Sequence, residues 1–310
     1  MNRRILALIV FLLIAFGLAY LLDYLVLIPI LKSSTIQRPS AWSTGLWFLV
    51  FGIIRMYTPF LGVIVALFIL GYRLKRGLIG YGLRGGRAEY ILVGMAIPYA
   101  IYLVSLAYGL LLGYQIVNPA AMISKIQNIE LGEMDPNMMI VLMLLSAVFN
   151  GSTINALAAL GEEMGWRGFL LGELGEKLGM YFSAIIIGVI WGLWHAPLIL
   201  VGYNYPHHPD LIGLSMFTLI CIVWSIILSQ LRVLGRSVIP SSIMHGNINA
   251  VAGMILLSFK GDEIYTSPVG LLGLVASATI ALLIALYMRG KNYRVEFYEK
   301  GEEVFDNVEY

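Results

Sequence analysis

The chain has 310 residues, of which 59% are apolar and 12% are charged, with a mean hydropathy of +0.85 and a net charge of +2. Soluble domains carry about 25% charged residues, so this chain cannot cover a soluble surface and is predicted to be an integral membrane protein. It has no block of Lys and Arg that would bind nucleic acid, and its single cysteine, Cys221, excludes intrachain disulfides and thiolate metal clusters.

A membrane-spanning helix needs about 20 mostly apolar residues. Eight such runs follow one another along the chain: Ile5–Leu31, Leu46–Leu70, Ala88–Tyr114, Met138–Leu160, Tyr181–Val201, Leu211–Leu231, Val238–Ser258 and Pro268–Met288. We therefore predict an all-α membrane protein with about eight transmembrane helices. Residues 1–288 are expected to form the membrane domain and residues 289–310 a charged cytosolic tail. The first run is too long for the apolar core of a signal peptide, so we expect it to be retained.

Basic residues in the connecting segments predict the orientation, because Lys and Arg are enriched on the cytoplasmic side of membrane proteins. Fifteen of them lie on the side of the N-terminus and four on the opposite side, with Arg55 left inside the second run. An even number of spans places both termini on one side. We therefore predict a multi-pass protein of the cell membrane with cytoplasmic N- and C-termini.

Ionisable side chains inside the runs are few, and each is a functional candidate because charge is costly in lipid. Asp23 and Arg55 lie in consecutive runs with opposite charge, and we interpret them as a structural pair. His207 and His208 lie between prolines in a non-cytoplasmic loop, which we interpret as a solvated turn. The remaining candidates are Glu162, Glu163, Arg167, His195 and His245.

Two adjacent carboxylates, Glu162 and Glu163, end the fourth run. On a helix, Glu163 and Arg167 are spaced i, i+4 and share a face, so they are expected to neutralise each other. Glu162 points about 140° away from Arg167, towards the side of Trp166, and has no local partner for its charge. Glu162 is therefore the better general base and Glu163 the better structural support. The alternative is a charge cluster that only marks the membrane interface.

Two histidines lie inside predicted spans. His195 follows Trp191 by one turn on the same face of the fifth run, and His245 shares a face of the seventh run with Asn249. Counted inward from the cytoplasmic ends of their runs, Glu162 and both histidines fall between the inner interface and the midplane. We therefore expect a cytosol-facing cavity that brings them together.

A carboxylate base, two imidazoles and a carboxamide are suited to peptide-bond hydrolysis. The carboxylate takes a proton from water, an imidazole orients that water, and neutral donors stabilise the oxyanion. The sequence lacks the motifs of other intramembrane proteases. It has no His-Glu-x-x-His motif, no second aspartate in a span besides Asp23 and no Gly-x-Ser-x-Gly motif. The absence of a Walker loop argues against ATP-driven work.

Three motifs in a fixed order resemble the CPBP family of CAAX proteases and bacteriocin-processing enzymes: Glu162-Glu163-x-x-x-Arg167, Trp191-x-x-x-His195 and His245-x-x-x-Asn249. The resemblance covers about Gly161 to Asn249, and we place a CPBP-like core at residues 138–258. It implies an eight-span intramembrane endopeptidase, similar to type II CAAX prenyl proteases, whose cavity opens toward the cytosol.

The resemblance also implies roles for individual residues. Glu162 and His195 would activate water, and His245 and Asn249 would form the oxyanion site. The supporting residues would be Glu163, Arg167 and Trp191. Trp191 stands where the family commonly has Phe. The implied partners are membrane lipid and a peptide or prenylated-protein substrate, with no cofactor or metal.

Three other interpretations remain open. The same carboxylates and imidazoles would also suit Zn²⁺ in a membrane metalloprotease, although Arg167 already pairs with the second carboxylate and no ligand pair at metal spacing lies on one helix. A non-catalytic bacteriocin-immunity or adaptor protein would bind and shield a partner without cleaving it. A transporter would use the same groups as a proton relay, but the sequence shows no inverted repeat of broken helices.

Overall fold

The computed structural model describes residues 2–36, 41–119 and 135–289. These residues form α-helices, two π-helical segments and one isolated β-bridge between Ile116 and Phe259. The all-α prediction is therefore confirmed for the described part of the chain. The π-helical segments are Asp23–Leu27 and Met164–Leu170. In chain order the α-helices are α1 (Arg3–Leu22), α2 (Ile28–Ile36), α3 (Ala41–Met56), α4 (Thr58–Leu70), α5 (Leu74–Gly80), α6 (Ala88–Leu111), α7 (Pro136–Ser152), α8 (Ile154–Glu163), α9 (Leu171–Leu178), α10 (Met180–Trp194), α11 (Ala196–Ile199), α12 (Leu211–Leu234), α13 (Ile239–Ser258), α14 (Glu263–Thr266) and α15 (Leu271–Met288).

Several helical stretches of the described residues are long and apolar enough to cross a membrane. Five do so individually: Arg3–Lys32, Leu49–Leu70, Ala88–Leu111, Leu211–Leu234 and Glu263–Met288. A sixth is obtained if Asn137–Ser152 and Ile154–Leu178, which meet at an angle of 43°, are taken as one broken span. These stretches overlap six of the eight predicted runs. The predicted class, a multi-pass α-helical membrane protein, is confirmed.

The other two predicted runs have a different form. α10 has 15 residues and stops at Trp194, because the helix breaks at His195, two residues before Pro197. α13 has 20 residues but contains polar side chains such as His245, which lower its hydropathy. The count of eight spans and the cytoplasmic location of the termini stay predictions. Residues 290–310, nearly all of the predicted tail, lie outside the described part of the chain.

The side chains are distributed as expected for a protein in lipid. Large apolar residues face outward, with Leu211 72% exposed and Phe68 66% exposed, whereas charged residues such as Glu163 and Arg167 are fully buried. In water this arrangement would be unfavourable, because exposed apolar patches associate and buried charges lose hydration. Burial of such charges in the interior while apolar side chains face outward is the arrangement expected in lipid.

Close helix packing surrounds the candidate residues. α10 packs along α12, and α13 packs against α6, α7 and α8. A Cβ at Gly192 of α10 would lie 2.8 Å from the Cα of Thr218 on α12, and one at Gly161 of α8 would lie 2.7 Å from the carbonyl oxygen of Met56. Glycine at these positions lets the helix backbones approach each other. The helices that carry the site are thus held in close contact.

Candidate active site

Glu162, Glu163 and Arg167 lie where α8 continues into the π-helical segment Met164–Leu170. Their exposed fractions are 2%, 0% and 0%. The three charges therefore lie in the protein interior, which does not favour the alternative of a charge cluster that only marks the membrane interface. Charges in this environment are retained when they are paired or functional.

Glu163 connects this segment with α13. Its Oε1 accepts a hydrogen bond from Nη1 of Arg167 at 3.0 Å and lies 2.8 Å from Nδ1 of His245. The predicted i, i+4 pair is present, and the second contact, which the helical wheel did not show, fixes the ring of His245. Because Oε1 accepts from Arg167 as well, we assign the hydrogen of the second contact to Nδ1 of His245.

Glu162 is held by two indole N–H groups. Trp191 of α10 donates to Oε2 at 2.6 Å, and Trp166, one turn after Glu162, donates to the same oxygen at 3.4 Å. Glu162 faces the side of Trp166, as predicted, and its local partner there is a neutral indole N–H and not an opposite charge. Both bonds involve Oε2. Oε1 accepts neither of these two hydrogen bonds.

His195 occupies the break between α10 and α11. Its Nδ1 lies 2.8 Å from the carbonyl oxygen of Trp191. A carbonyl oxygen only accepts, so Nδ1 carries the hydrogen and Nε2 of the neutral ring is an acceptor. The ring packs edge-on against Phe217 of α12, with 4.9 Å between the ring centroids. An imidazole fixed in this tautomer is suited to orienting a water molecule through Nε2.

Trp191 contacts most of the polar groups of the site. Its ring centroid lies 5.2 Å from that of His245 and 5.9 Å from that of His195. The guanidinium of Arg167 lies over the same ring, 4.5 Å from its centroid, which is a cation–π contact. The sequence predicted Trp191 only as a supporting aromatic residue. In the structure its indole joins a carboxylate, two imidazoles and a guanidinium.

A cavity of about 320 Å³ brings the predicted residues together. Its wall includes all four residues predicted as catalytic, together with Trp191: Glu162, His195, His245 and Asn249. Asn249, one turn after His245 on α13, is the exposed member of this set. Glu163 and Arg167 are not part of the wall. They contact two residues that are, His245 and Trp191 respectively.

Several further polar residues of the wall were not predicted as site residues, among them Asn155 and Arg55. Asn155 of α8 lies seven residues before Glu162, two turns away on the same face, and that spacing is the signal that would have identified it. Arg55 also lines the cavity. No pattern within the sequence predicts this position, because it depends on how α3 packs against the other helices.

The predicted pairing of Asp23 with Arg55 is present in the structure. Oδ1 of Asp23 accepts from Nε of Arg55 at 2.6 Å, and Oδ2 accepts from Nη2 at 3.0 Å. The two-pronged geometry is the strongest that a guanidinium and a carboxylate form. These two charges are therefore mutually neutralised.

The loop between α11 and α12 is more tightly held than a solvated turn. Ring nitrogens of His207 and His208 each lie 2.8 Å from a carboxylate oxygen, of Glu263 and Asp262 respectively. The hydrogen bond with Asp262 raises the pKa of His208, and the same bond lowers the pKa of Asp262. These two histidine–carboxylate contacts fasten this loop to the start of α14.

The arrangement of donors bears on the metalloprotease interpretation. Within the ranges that the structure describes, no three His, Cys, Asp or Glu side chains lie close enough together to hold a metal ion. Glu162 is bound by indoles and Glu163 by a guanidinium. The metalloprotease alternative therefore receives no support from the positions of these side chains.

The fold and the cavity together define a multi-pass α-helical membrane protein with a buried site of carboxylate, imidazole and carboxamide groups. A family model described as type II CAAX prenyl endopeptidase Rce1-like matches residues 145–251, a range that contains every predicted site residue. CAAX prenyl protease 2 of Methanococcus maripaludis is 33% identical to this chain over 128 residues, which are 40% of this chain and 46% of that protein. The match thus spans about half the length of that relative. This central segment is therefore similar to the Rce1-like CAAX prenyl endopeptidases, and the resemblance inferred from the motifs is confirmed for it.

Proposed function

We propose that this protein is an intramembrane endopeptidase that hydrolyses a peptide bond of a membrane-associated polypeptide. The observation that carries this proposal is one cavity lined by a carboxylate of α8, an imidazole at the break after α10, and an imidazole and a carboxamide of α13. Such a set contains a base, a group that orients water and donors for an oxyanion. These are the parts that acyl-carbon hydrolysis needs.

The nucleophile is a water molecule between Oε1 of Glu162 and Nε2 of His195. Glu162 takes one proton of this water while its oxygen forms a bond to the carbonyl carbon of the substrate, and the electron pair of the C=O π bond moves onto the carbonyl oxygen. Nε2 of His195 accepts a hydrogen bond from the second O–H. The indole N–H groups on Oε2 keep the carboxylate in the orientation that this step requires.

His245 and Asn249 bind the oxyanion of the tetrahedral intermediate. Asn249 donates from its carboxamide, and His245 donates from Nε2. Since Nδ1–H of His245 is directed at Glu163, Nε2 is a donor only when the ring carries both protons, and the Glu163 carboxylate is the counter-ion of that imidazolium. Glu163 therefore acts through His245 and is a positioning residue.

The intermediate collapses when the C–N bond breaks. The electron pair of that bond goes to the leaving nitrogen, and the proton held by Glu162 moves to the same nitrogen. The products are a carboxylic acid and an amine, and Glu162 returns to its basic form. One carboxylate thus serves as base and then as acid.

We propose a prenylated polypeptide as the substrate. The family description and the name of the Methanococcus relative both refer to CAAX prenyl substrates. In such substrates the C-terminal Cys-a-a-X carries the lipid on its cysteine, which brings the peptide to the membrane. The cavity wall includes apolar side chains, among them Leu27, Leu49 and Ile53, as well as its polar groups. This pairing suits a peptide with a lipid next to the bond that is cut.

The experiment uses the full chain in detergent micelles, where no ion gradient exists to drive transport. Two synthetic peptides ending in Cys-a-a-X, which differ only in a farnesyl group on the cysteine, are incubated with it and analysed by mass spectrometry. We expect two fragments from the farnesylated peptide and none from the free-thiol peptide. Equal cleavage of both would reject prenyl specificity, and cleavage of neither by folded protein would contradict the endopeptidase proposal.

A chelator serves as a control in the same assay. Because protein side chains hold the water in this proposal, 1,10-phenanthroline should leave the cleavage rate unchanged. Loss of activity that added Zn²⁺ restores would favour the metalloprotease interpretation. That result would change the proposed mechanism but not the proposal that the protein cleaves peptides.

Replacement of Asn249 tests the oxyanion site. An oxyanion donor acts only in the transition state, so Asn249→Ala should lower kcat by about 10²- to 10³-fold with little change in KM. Asn249→Asp, which keeps the shape but places a negative charge beside the oxyanion, should be slower still. A raised KM with an unchanged kcat would instead assign Asn249 to substrate binding.

A further inference from the structure

α10, which ends just before His195, has two final carbonyl groups that lack the N–H donor four residues later that a regular helix would supply. In a regular helix the carbonyl of Leu193 would accept from residue 197, but that residue is Pro197, which has no N–H. The carbonyl of Trp194 would accept from Leu198, whose N–H donates to the carbonyl of His195 at 3.1 Å instead. The break at His195 therefore leaves the two preceding carbonyls without the i+4 donors of a regular helix.

Side chains of α1 and α3 satisfy both carbonyls. The hydroxyl of Tyr20 donates to the carbonyl of Leu193 at 2.8 Å, and Nη2 of Arg55 donates to the carbonyl of Trp194 at 2.7 Å. The Arg55 guanidinium also lies over the indole of Trp194, 3.6 Å from its ring centroid, and the indole N–H donates to a backbone carbonyl of α1 at 2.9 Å. Trp194, the residue before His195, is thus held at three points: its carbonyl, the face of its ring and its ring N–H.

Asp23 fixes the guanidinium in this position through the two hydrogen bonds described above. The exposed fractions of the Arg55 and Asp23 side chains are 4% and 0%. Replacing a buried ion pair with apolar residues is often neutral or favourable for stability, so stability alone does not account for this pair. Asp23 is also the first residue of a π-helical segment, a local distortion that is frequent at functional sites.

We propose that Asp23 and Arg55 form a positioning clamp for His195, which fixes the end of α10 so that the imidazole stays aligned with Glu162. This inference rests on the proposed function. Arg55 influences the reaction through Trp194 and is a positioning residue. The clamp lies outside residues 145–251, so it belongs to a part of the chain that the family model does not match. The catalytic arrangement is then incomplete without the first helices.

The test compares Arg55→Lys and Tyr20→Phe in the peptide-cleavage assay, with rates expressed per folded molecule. Lysine keeps the positive charge. Its ammonium group lacks the planar set of N–H donors with which the guanidinium binds Asp23 and the Trp194 carbonyl at the same time. We expect Arg55→Lys to lower kcat by about 10²-fold with KM nearly unchanged, because a displacement of about 1 Å in a catalytic group has that effect. Tyr20→Phe removes one hydroxyl and should lower kcat about two- to tenfold, the effect of one hydrogen bond.

Tyr108→Phe is the matched control for Tyr20→Phe. The Tyr108 hydroxyl lies 2.9 Å from Oγ1 of Thr279 and joins α6 to α15, neither of which carries a proposed catalytic residue. The same loss of one interhelical hydrogen bond is expected to leave kcat at the parental value. If both tyrosine variants lose activity equally, the effect is a general one and the clamp is overturned.

A Glu162→Gln variant in the same series separates this inference from the proposed function. If Glu162→Gln loses cleavage while Arg55→Lys and Tyr20→Phe keep the parental kcat, the clamp is overturned and the endopeptidase proposal stands. If Glu162→Gln also keeps its activity, the proposed function itself fails. A lower melting temperature with an unchanged kcat per folded molecule would make the pair purely structural. If Arg55→Lys does not fold, the kcat of Tyr20→Phe compared with that of Tyr108→Phe tests the clamp.

Discussion

Glu162→Gln is expected to lower kcat for peptide cleavage by about 10²- to 10⁴-fold, the contribution of a general base, with little loss of folded protein. Glutamine has the shape of glutamate, and its side-chain carbonyl still accepts from the Trp191 indole. The group that is lost is the basic oxygen that takes a proton from water. The measurement is kcat in detergent, with thermal unfolding followed on the same samples.

Glu89→Gln is the matched control for this change. The Glu89 side chain is 64% exposed at the start of α6, 4.0 Å from Arg87, and is not part of the cavity wall. The same change of charge and shape at this surface position should leave kcat unaltered. A Glu162→Gln protein that cleaves at a rate close to that of Glu89→Gln would contradict the general-base role.

Arg167→Met is expected to destabilise the folded protein by about 3–5 kcal/mol, the usual cost of breaking a buried ion pair. The Arg167 guanidinium is fully buried, donates to Oε1 of Glu163 at 3.0 Å and packs on the ring of Trp191. Its removal leaves His245 as the remaining partner of a buried carboxylate. Cleavage should fall as well, because the same carboxylate positions His245. Unfolding in detergent measures the first effect and the peptide assay the second.

The double variant Glu163→Gln with Arg167→Met is the control for Arg167→Met. It leaves no unpaired carboxylate in the interior, so part of the lost stability should return. Cleavage should stay low, since the carboxylate that positions His245 is missing. A double variant no more stable than Arg167→Met alone would mean that lost packing, and not the unpaired charge, causes the destabilisation.

Features that depend on local spacing could be predicted from the sequence. The contact between Glu163 and Arg167 follows from a four-residue separation on a helix, and that separation is visible in the sequence. The class of membrane protein follows from the length of the apolar runs, which the bilayer thickness requires. The pairing of Asp23 with Arg55 could be inferred because a lone charge in a span is costly.

Contacts between distant parts of the chain could not be predicted in the same way. The bond from Trp191 to Glu162 joins residues 29 apart, and the bond from His245 to Glu163 joins residues 82 apart. Both depend on the packing of separate helices, which periodicity within one run does not specify. The fifth run also looked continuous by hydropathy, because apolar residues on both sides of Pro197 hide the break at His195.

The buried pair of Asp23 and Arg55 also affects how the protein is made. Both residues lie in the first two spanning stretches, which leave the ribosome before the helices that carry the cavity residues. A lone aspartate or arginine at the centre of an inserting helix costs about 2.5–3.5 kcal/mol, and a partner in the next helix offsets part of that cost. The carbonyl that Arg55 binds is synthesised 139 residues later. We therefore expect the charges to be neutralised early in biosynthesis, so that the guanidinium is already in place when His195 enters the bilayer.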